Sequence, residues 1–263
     1  MKKIKIAPKP EHDQNFLINT KIIKDIIKAI KTEATSKKSP IFKAVLEIGP
    51  GTGAITKELA LNSKQLIAVE IDKSLSNILS SLPKNVTVKY CDALEYLKDL
   101  KQKIQDRKKE DEKNKVPIDF PFDLVFSSLP YKICEPTLKA LSTMPGFNVG
   151  FFIVPFGFYK KLKESIYFES FFNITHILDI PKESFNPIPK SDSCLIKVTK
   201  KDSLKINLLA SKKASSKNPH FKAYNIDINI NFIFQKLLSQ RTKKAKNALR
   251  DAIIDFSKLK GYD

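Results

Sequence analysis

Three residue types are scarce in this 263-residue chain, and each scarcity excludes something. Cysteine occurs only as Cys91, Cys134 and Cys194, an odd number in unrelated contexts, which suits neither a disulfide framework nor a zinc site and points to a reducing, cytosol-like compartment. Arginine occurs only as Arg107, Arg241 and Arg250 among 47 basic residues. The basic surface therefore offers lysine point charges, which favour attraction to a phosphate backbone over reading of base edges. Glycine occurs seven times, so Gly49, Gly51 and Gly53, all within five residues, form a strong local signal. Long apolar runs are lacking: no stretch approaches the roughly eighteen residues that a spanning helix needs. Met1 to Ile6 runs into polar sequence without the apolar core of a signal peptide, so neither a membrane association nor classical secretion is expected. His12, His176 and His220 show no ligand or triad spacing, and no metal is expected.

What is present is a chain that is 42% hydrophobic and 10% aromatic, enough for one full core and a small second domain. It also carries a net charge of +19, a surface that attracts polyanions. The excess is uneven. Lys200 to Asp263 holds 15 basic and five acidic residues, about half of the whole imbalance.

An apolar run at Ile41–Ile48 stops at Gly49-Pro50-Gly51-Thr52-Gly53 and continues as a helical pattern from Ala54. This reads as strand, tight turn, helix. Further strands are expected at Gln65–Asp72, Val86–Tyr90, Phe122–Phe126 and Val149–Val154, the first of them followed by Leu75, Ile78, Leu79 and Leu82 at helical spacing. Repeated alternation predicts an α/β fold with a parallel sheet and helices on both faces. Lys101–Asp119 is dense in Lys, Asp, Glu and Gln and reads as a solvated insertion. Ala245, Ala248, Leu249, Ala252, Ile253 and Phe256 recur on one helical face, so residues 1–199 are expected to form the main domain and residues 200–263 a small basic helical one.

A turn this rich in glycine lets a ligand approach the backbone beside a helix N-terminus. Gly49, Gly51 and Ala54 formally satisfy the dinucleotide fingerprint, with Glu70 placed for a ribose hydroxyl, which leaves a nicotinamide-dependent oxidoreductase open. Glu47-Ile48-Gly49-Pro50-Gly51-Thr52-Gly53 is more specific and resembles the first motif of class I S-adenosylmethionine-dependent methyltransferases. Asp92, in Cys91-Asp92-Ala93 at the end of the third strand, fits an acceptor for an adenine amino group. Ser127-Ser128-Leu129-Pro130-Tyr131 after the fourth strand resembles the Asn-Leu-Pro-Tyr motif of amino-group methyltransferases. There a side chain and a backbone carbonyl accept N–H groups from a conjugated amine, localising its lone pair, while an aromatic ring stacks on the base.

With Gln14-Asn15-Phe16-Leu17, the stretch Ile180–Ser193 and Ser239–Ala245, the chain from about residue 11 to 255 resembles the ribosomal RNA adenine N6-dimethyltransferases. That resemblance implies a class I (Rossmann-like) sheet, S-adenosylmethionine as methyl donor, and dimethylation of adenine N6 in small-subunit ribosomal RNA within an immature small subunit. It places Asn15, Leu17, Gly49, Gly51, Glu70, Ile71, Asp92, Ala93 and Ser128 at the cofactor, and Ser128, Leu129, Pro130, Tyr131 and Phe185 at the adenine. An extruded base needs aromatic faces, which agrees for Tyr131 and Phe185. Arg241, Lys243, Lys244 and Lys246 are expected on RNA phosphates. A cytoplasmic monomer is expected, with an organellar location as the alternative.

The chain departs from the family in three places. Ser128 stands for the Asn, Asp13 for a Gly, and Val154–Leu162 has lost a polar Gln-Lys-Glu pattern. These departures leave open a non-catalytic descendant that binds RNA or DNA in ribosome assembly or mitochondrial transcription.

Overall fold

A computed structural model of the chain describes residues 14–34, 42–111, 121–128, 130–201, 205–207 and 225–227. The chain divides into two compact units, Met1–Lys200 and Lys201–Asp263.

In the first unit, seven strands form one sheet in the order β4-β3-β2-β5-β6-β9-β7. They are β2 (Phe42–Ile48), β3 (Ser63–Glu70), β4 (Val86–Tyr90), β5 (Leu124–Ser128), β6 (Val149–Pro155), β7 (Phe172–Ile180) and β9 (Ser193–Lys200). Val45, Leu46 and Ile48 of β2, like Leu124 to Phe126 of β5, are buried, the near-continuous apolar composition of parallel strands covered on both faces. The covering helices include α1 (Thr20–Ala34), α2 (Ala54–Leu61), α3 (Ser76–Leu79), α4 (Ala93–Asp111), α5 (Tyr131–Ser142), α6 (Phe156–Glu164) and α7 (Ile166–Phe171). A short antiparallel pair, β1 (Phe16–Leu17) with β8 (Phe185–Asn186), lies outside the sheet.

β2 pairs in parallel with β3 on one side and β5 on the other, with Ile48 opposite Val69 and Ser127. The chain order therefore reverses at β2, and the loops after β2, β3, β4, β5 and β6 gather at one edge, where α/β sheets bind ligands.

The sequence reading holds for the parallel strands and needs two corrections. The sheet is mixed: β9 runs antiparallel between β6 and β7, because β7 alternates buried and open positions and shows no apolar run in the sequence. Of the expected insertion at 101–119, the first part is helix, since α4 continues to Asp111. Leu97 and Ile104 are buried on its inner face, and Lys101 Nζ donates to Thr143 Oγ1 at 2.8 Å, so the start of the expected insertion is an anchored helix, while 112–119 lie outside the described residues.

Of the second unit the structure describes one antiparallel pair, β10 (Lys205–Asn207) with β11 (Asn225–Asp227). The expected helix carrying Ala245 to Phe256 lies outside the described residues, as do Arg241, Lys243, Lys244 and Lys246.

Candidate active site

The loop between β2 and α2 carries the densest backbone constraint. Gly49, Gly51 and Gly53 all have positive φ, at 72°, 55° and 78°, a region that L side chains rarely adopt. At Gly51 the demand is double, because an added Cβ would also lie 3.0 Å from Cδ1 of Phe16. The loop is pinned from β3: Gly51 N–H donates to Glu70 Oε2 at 3.1 Å, and Asp72 N–H donates to Glu70 Oε1 at 2.9 Å. Burial of Glu70 raises its carboxyl pKa, against the pull of those two backbone donors.

Behind the loop, Glu47 is 1% exposed. Desolvation pushes its carboxyl up to about 8, outweighing the approach of the Thr56 hydroxyl, and Glu70 adds to the rise. Its Oε2 has no hydrogen-bond partner among the described residues, an orphaned acceptor that a donor-bearing ligand would satisfy.

These groups line a cavity of about 900 Å³ at the carboxyl edge of the sheet, within the range of small-molecule sites. Asn15, Leu17, Gly49, Gly51, Glu70, Ile71, Asp92, Ala93, Ser128, Pro130 and Phe185 all line it. Asp92 Oδ1 caps α4 by accepting from Leu94 N–H at 2.7 Å and Glu95 N–H at 3.0 Å. Ile71 and Ile188 are exposed apolar side chains, at 49% and 61%, and both line the cavity, which explains their exposure as ligand-facing surface. Phe185 is 4% exposed and held by pairing with Leu17, so it is a fixed wall. Ser128 ends β5, and its carbonyl lies 4.0 Å from where a Cβ at Gly49 would stand, which puts the glycine loop directly against the Ser-Leu-Pro-Tyr turn. The Pro130 carbonyl is taken up in the first turn of α5 by Ile133 N–H at 3.0 Å and Cys134 Sγ at 3.4 Å. Leu129 and the side chain of Tyr131 lie outside what the structure describes.

The sequence reading did not place several groups that build this cavity. Gln14 Nε2 donates to Asp72 Oδ2 at 2.9 Å, and Ile18 and Asn19 N–H donate to the Ser184 carbonyl, so the segment before α1 is strapped across the cavity to the Phe185 loop. Lys132, Gly157 and Lys161 also line it. Among the described residues, no group of three or more His, Cys, Asp or Glu could hold a metal, and no helix is long and apolar enough to cross a membrane. Cys91 also lines the cavity, but burial and the acids Asp92, Glu95 and Asp99 raise its thiol pKa, which makes it a poor nucleophile.

The donor set tests the candidate ligands. Three carboxyl groups, Glu47, Glu70 and Asp92, surround the loop end. Glu70 and Asp92 would disfavour the pyrophosphate of a dinucleotide and complement a cation bearing ammonium, hydroxyl and amino donors, while Glu47, which burial keeps protonated at neutral pH, offers a neutral carboxyl; this argues against the oxidoreductase reading. Fold and site together define a class I methyltransferase that uses S-adenosylmethionine.

A family model described as ribosomal RNA adenine dimethylase matches residues 7–211. The ribosomal RNA small subunit methyltransferase A of Sulfurihydrogenibium sp. (strain YO3AOP1) is 31% identical over 216 residues, covering 77% of this chain and 76% of its own. The protein of the same name from Mycoplasmopsis pulmonis (strain UAB CTIP) is 30% identical over 268 aligned positions, covering 97% and 90%. A solved dimethyladenosine transferase from Plasmodium falciparum is 28% identical with a TM-score of 0.53, covering 71% of this chain and 63% of that chain. The chain belongs to the ribosomal RNA adenine dimethylase family. It is an enzyme that methylates ribosomal RNA with S-adenosylmethionine as donor, and the non-catalytic reading is not favoured.

Proposed function

We propose that the chain dimethylates adenine N6 in small-subunit ribosomal RNA during ribosome biogenesis, as a monomer in the cytoplasm. The small-subunit assignment is supported by the likeness to the Mycoplasmopsis pulmonis protein, which extends over 97% of the chain, beyond the segment that the family model matches. The observation that carries the chemistry is the placement of Ser128 and Pro130 in one cavity with the glycine loop and its carboxylates.

When bound, S-adenosylmethionine supplies a sulfonium methyl whose leaving group is good enough that no strong base is required. The chain's task is then to bind, aim and exclude water. Asn15, Leu17, Gly49, Gly51, Glu70, Ile71, Asp92, Ala93 and Ser128 would hold the cofactor, with Glu70 and Asp92 as the acceptors for its hydroxyl and amino donors. The Ser128 hydroxyl and the Leu129 carbonyl accept the two N–H groups of the adenine amine, which returns its lone pair to the nitrogen. Pro130 sets the turn, Tyr131 offers a face to the extruded base, and Phe185, 4% exposed, backs the site as a buried wall of the cavity. Arg241, Lys243, Lys244 and Lys246 bind RNA phosphates.

A radiolabelled methyl-transfer assay on an immature small subunit tests this reading. Ser128→Ala is expected to lower turnover by more than it weakens cofactor binding, and Ser128→Asn to hold or raise turnover, because the contact to the amine strengthens in the transition state. Tyr131→Ala is expected to cost more, since base stacking is worth roughly 1–3 kcal/mol. Unaltered turnover in Ser128→Ala would refute the assigned role of the hydroxyl.

A further inference from the structure

One sequence feature is unused by the site so far, the departure at Pro155-Phe156-Gly157 that opens α6. Gly157 lines the cavity. It sits in the first turn of a helix and is not among the glycines with positive φ. A Cβ built on it meets nothing within 4 Å. Neither conformation nor space demands glycine there, and glycine in a helix is less stable than a residue with a side chain. What it provides is an opening.

A second space adjoins the cavity through other residues of the same two helices. A groove of about 710 Å³ runs between α5 and α6, and two of its lining residues, Lys132 and Lys161, also line the cofactor cavity. The groove floor is apolar, with Pro136, Phe158, Leu162 and Phe168. Its polar lining includes Lys139, and its one carboxylate, Glu135, is held by Lys139 at 2.6 Å. A strip of lysines over an apolar floor, continuous with the mouth of a base pocket, matches the chemistry of a single RNA strand: phosphates outside, sugar edges inside.

We propose that the α5–α6 groove is a channel for the single-stranded RNA backbone next to the target adenine, with Lys132 and Lys161 on phosphates and Gly157 keeping the mouth open and uncharged. This rests on the ribosomal RNA reading above. An extruded adenine stays tethered to its own backbone, so the strand must leave the cavity past the residues that share both linings.

The experiment compares Gly157→Glu with Gly157→Gln, which fill the opening alike and differ in charge. Both are expected to raise the melting temperature by about 2 °C, because each replaces a helical glycine. In low salt Gly157→Glu is expected to bind a single-stranded ribosomal RNA fragment about tenfold more weakly than Gly157→Gln, and the ratio should shrink as salt screens the carboxylate. Lys132→Gln with Lys161→Gln is expected to reduce the slope of log affinity against log salt by about 1.4, the value for two single-strand phosphates, while calorimetry shows cofactor affinity within about twofold of wild type. Equal RNA binding by the two Gly157 variants, or an unchanged salt slope, overturns the channel while methyl transfer by wild type keeps the enzyme reading. Loss of cofactor binding in the double lysine variant overturns it too, by assigning those lysines to the cofactor. A wild type that neither binds nor methylates ribosomal RNA overturns both readings together.

Discussion

At the closed end of the cavity Glu47, Glu70 and Asp92 gather round a glycine loop, while at its mouth Lys132 comes from the first turn of α5, Gly157 from the first turn of α6 and Lys161 from the next turn of α6. The closed end is acidic, desolvated and tied by backbone hydrogen bonds; the mouth is basic and exposed. Opposite charge at the two ends of one cavity suits a reaction in which a cationic donor sits inside and a polyanion arrives from outside. It also divides the energetics. Groups at the closed end act on the fold and the cofactor together, because they are buried, whereas lysines at the mouth act on a partner and little on the fold.

The largest expected effect is at Glu47. Its carboxyl is raised from 4.5 to about 8 by burial, so between those values the folded state holds a proton that the unfolded chain has released, and stability falls as pH rises. Glu47→Gln, which cannot ionise, should match wild type below about pH 4.5 and exceed it by roughly 4 kcal/mol at pH 8. Denaturant titrations of the two proteins across that range check this, and a pH-independent gap would mean that the closed end carries a paired charge. Next comes Gly51→Val, which combines φ of 55° with a Cβ 3.0 Å from Phe16. Strain of about 1–3 kcal/mol should weaken cofactor binding by at least about tenfold in calorimetry. Wild-type affinity would remove the loop from the site.

Gln14→Ala, which cuts the strap to Asp72, should cost about 1 kcal/mol and speed cofactor release about fivefold in stopped flow, sharpening whether the strap belongs to the closed end. The smallest effect is on stability at Lys139, whose pair with Glu135 is exposed on both sides. Lys139→Ala should change unfolding free energy by no more than about 0.5 kcal/mol. A larger loss would break the contrast, since the groove would then be part of the fold's support.

The parallel half of the molecule was legible because its strands are short apolar runs bounded by turn residues: Val86–Tyr90 matches β4 at both ends, and Val149 starts β6. β7 and β9 escaped notice because Asn173, His176, Lys197 and Lys200 interrupt their apolar pattern, and only pairing makes β9 a core strand beside β6 and β7 the edge strand beyond it. The helical course of α4 was hidden by its polar composition, since Leu97, Lys101 and Ile104 show their purpose only against the residues they meet.

The chemical components at the closed end follow from order and spacing alone. A glycine triplet after a strand, an acid at the end of the next and a Ser-Leu-Pro-Tyr turn two strands later are local patterns, and the turn geometry they require is encoded residue by residue. Tertiary structure alone decided which of the many lysines face the cavity, that Glu47 carries an orphaned and raised carboxyl, and that Lys132 and Lys161 line both the cavity and the neighbouring groove. Charge, burial and open space at a point are summed over elements far apart in the chain, and no local pattern records that sum.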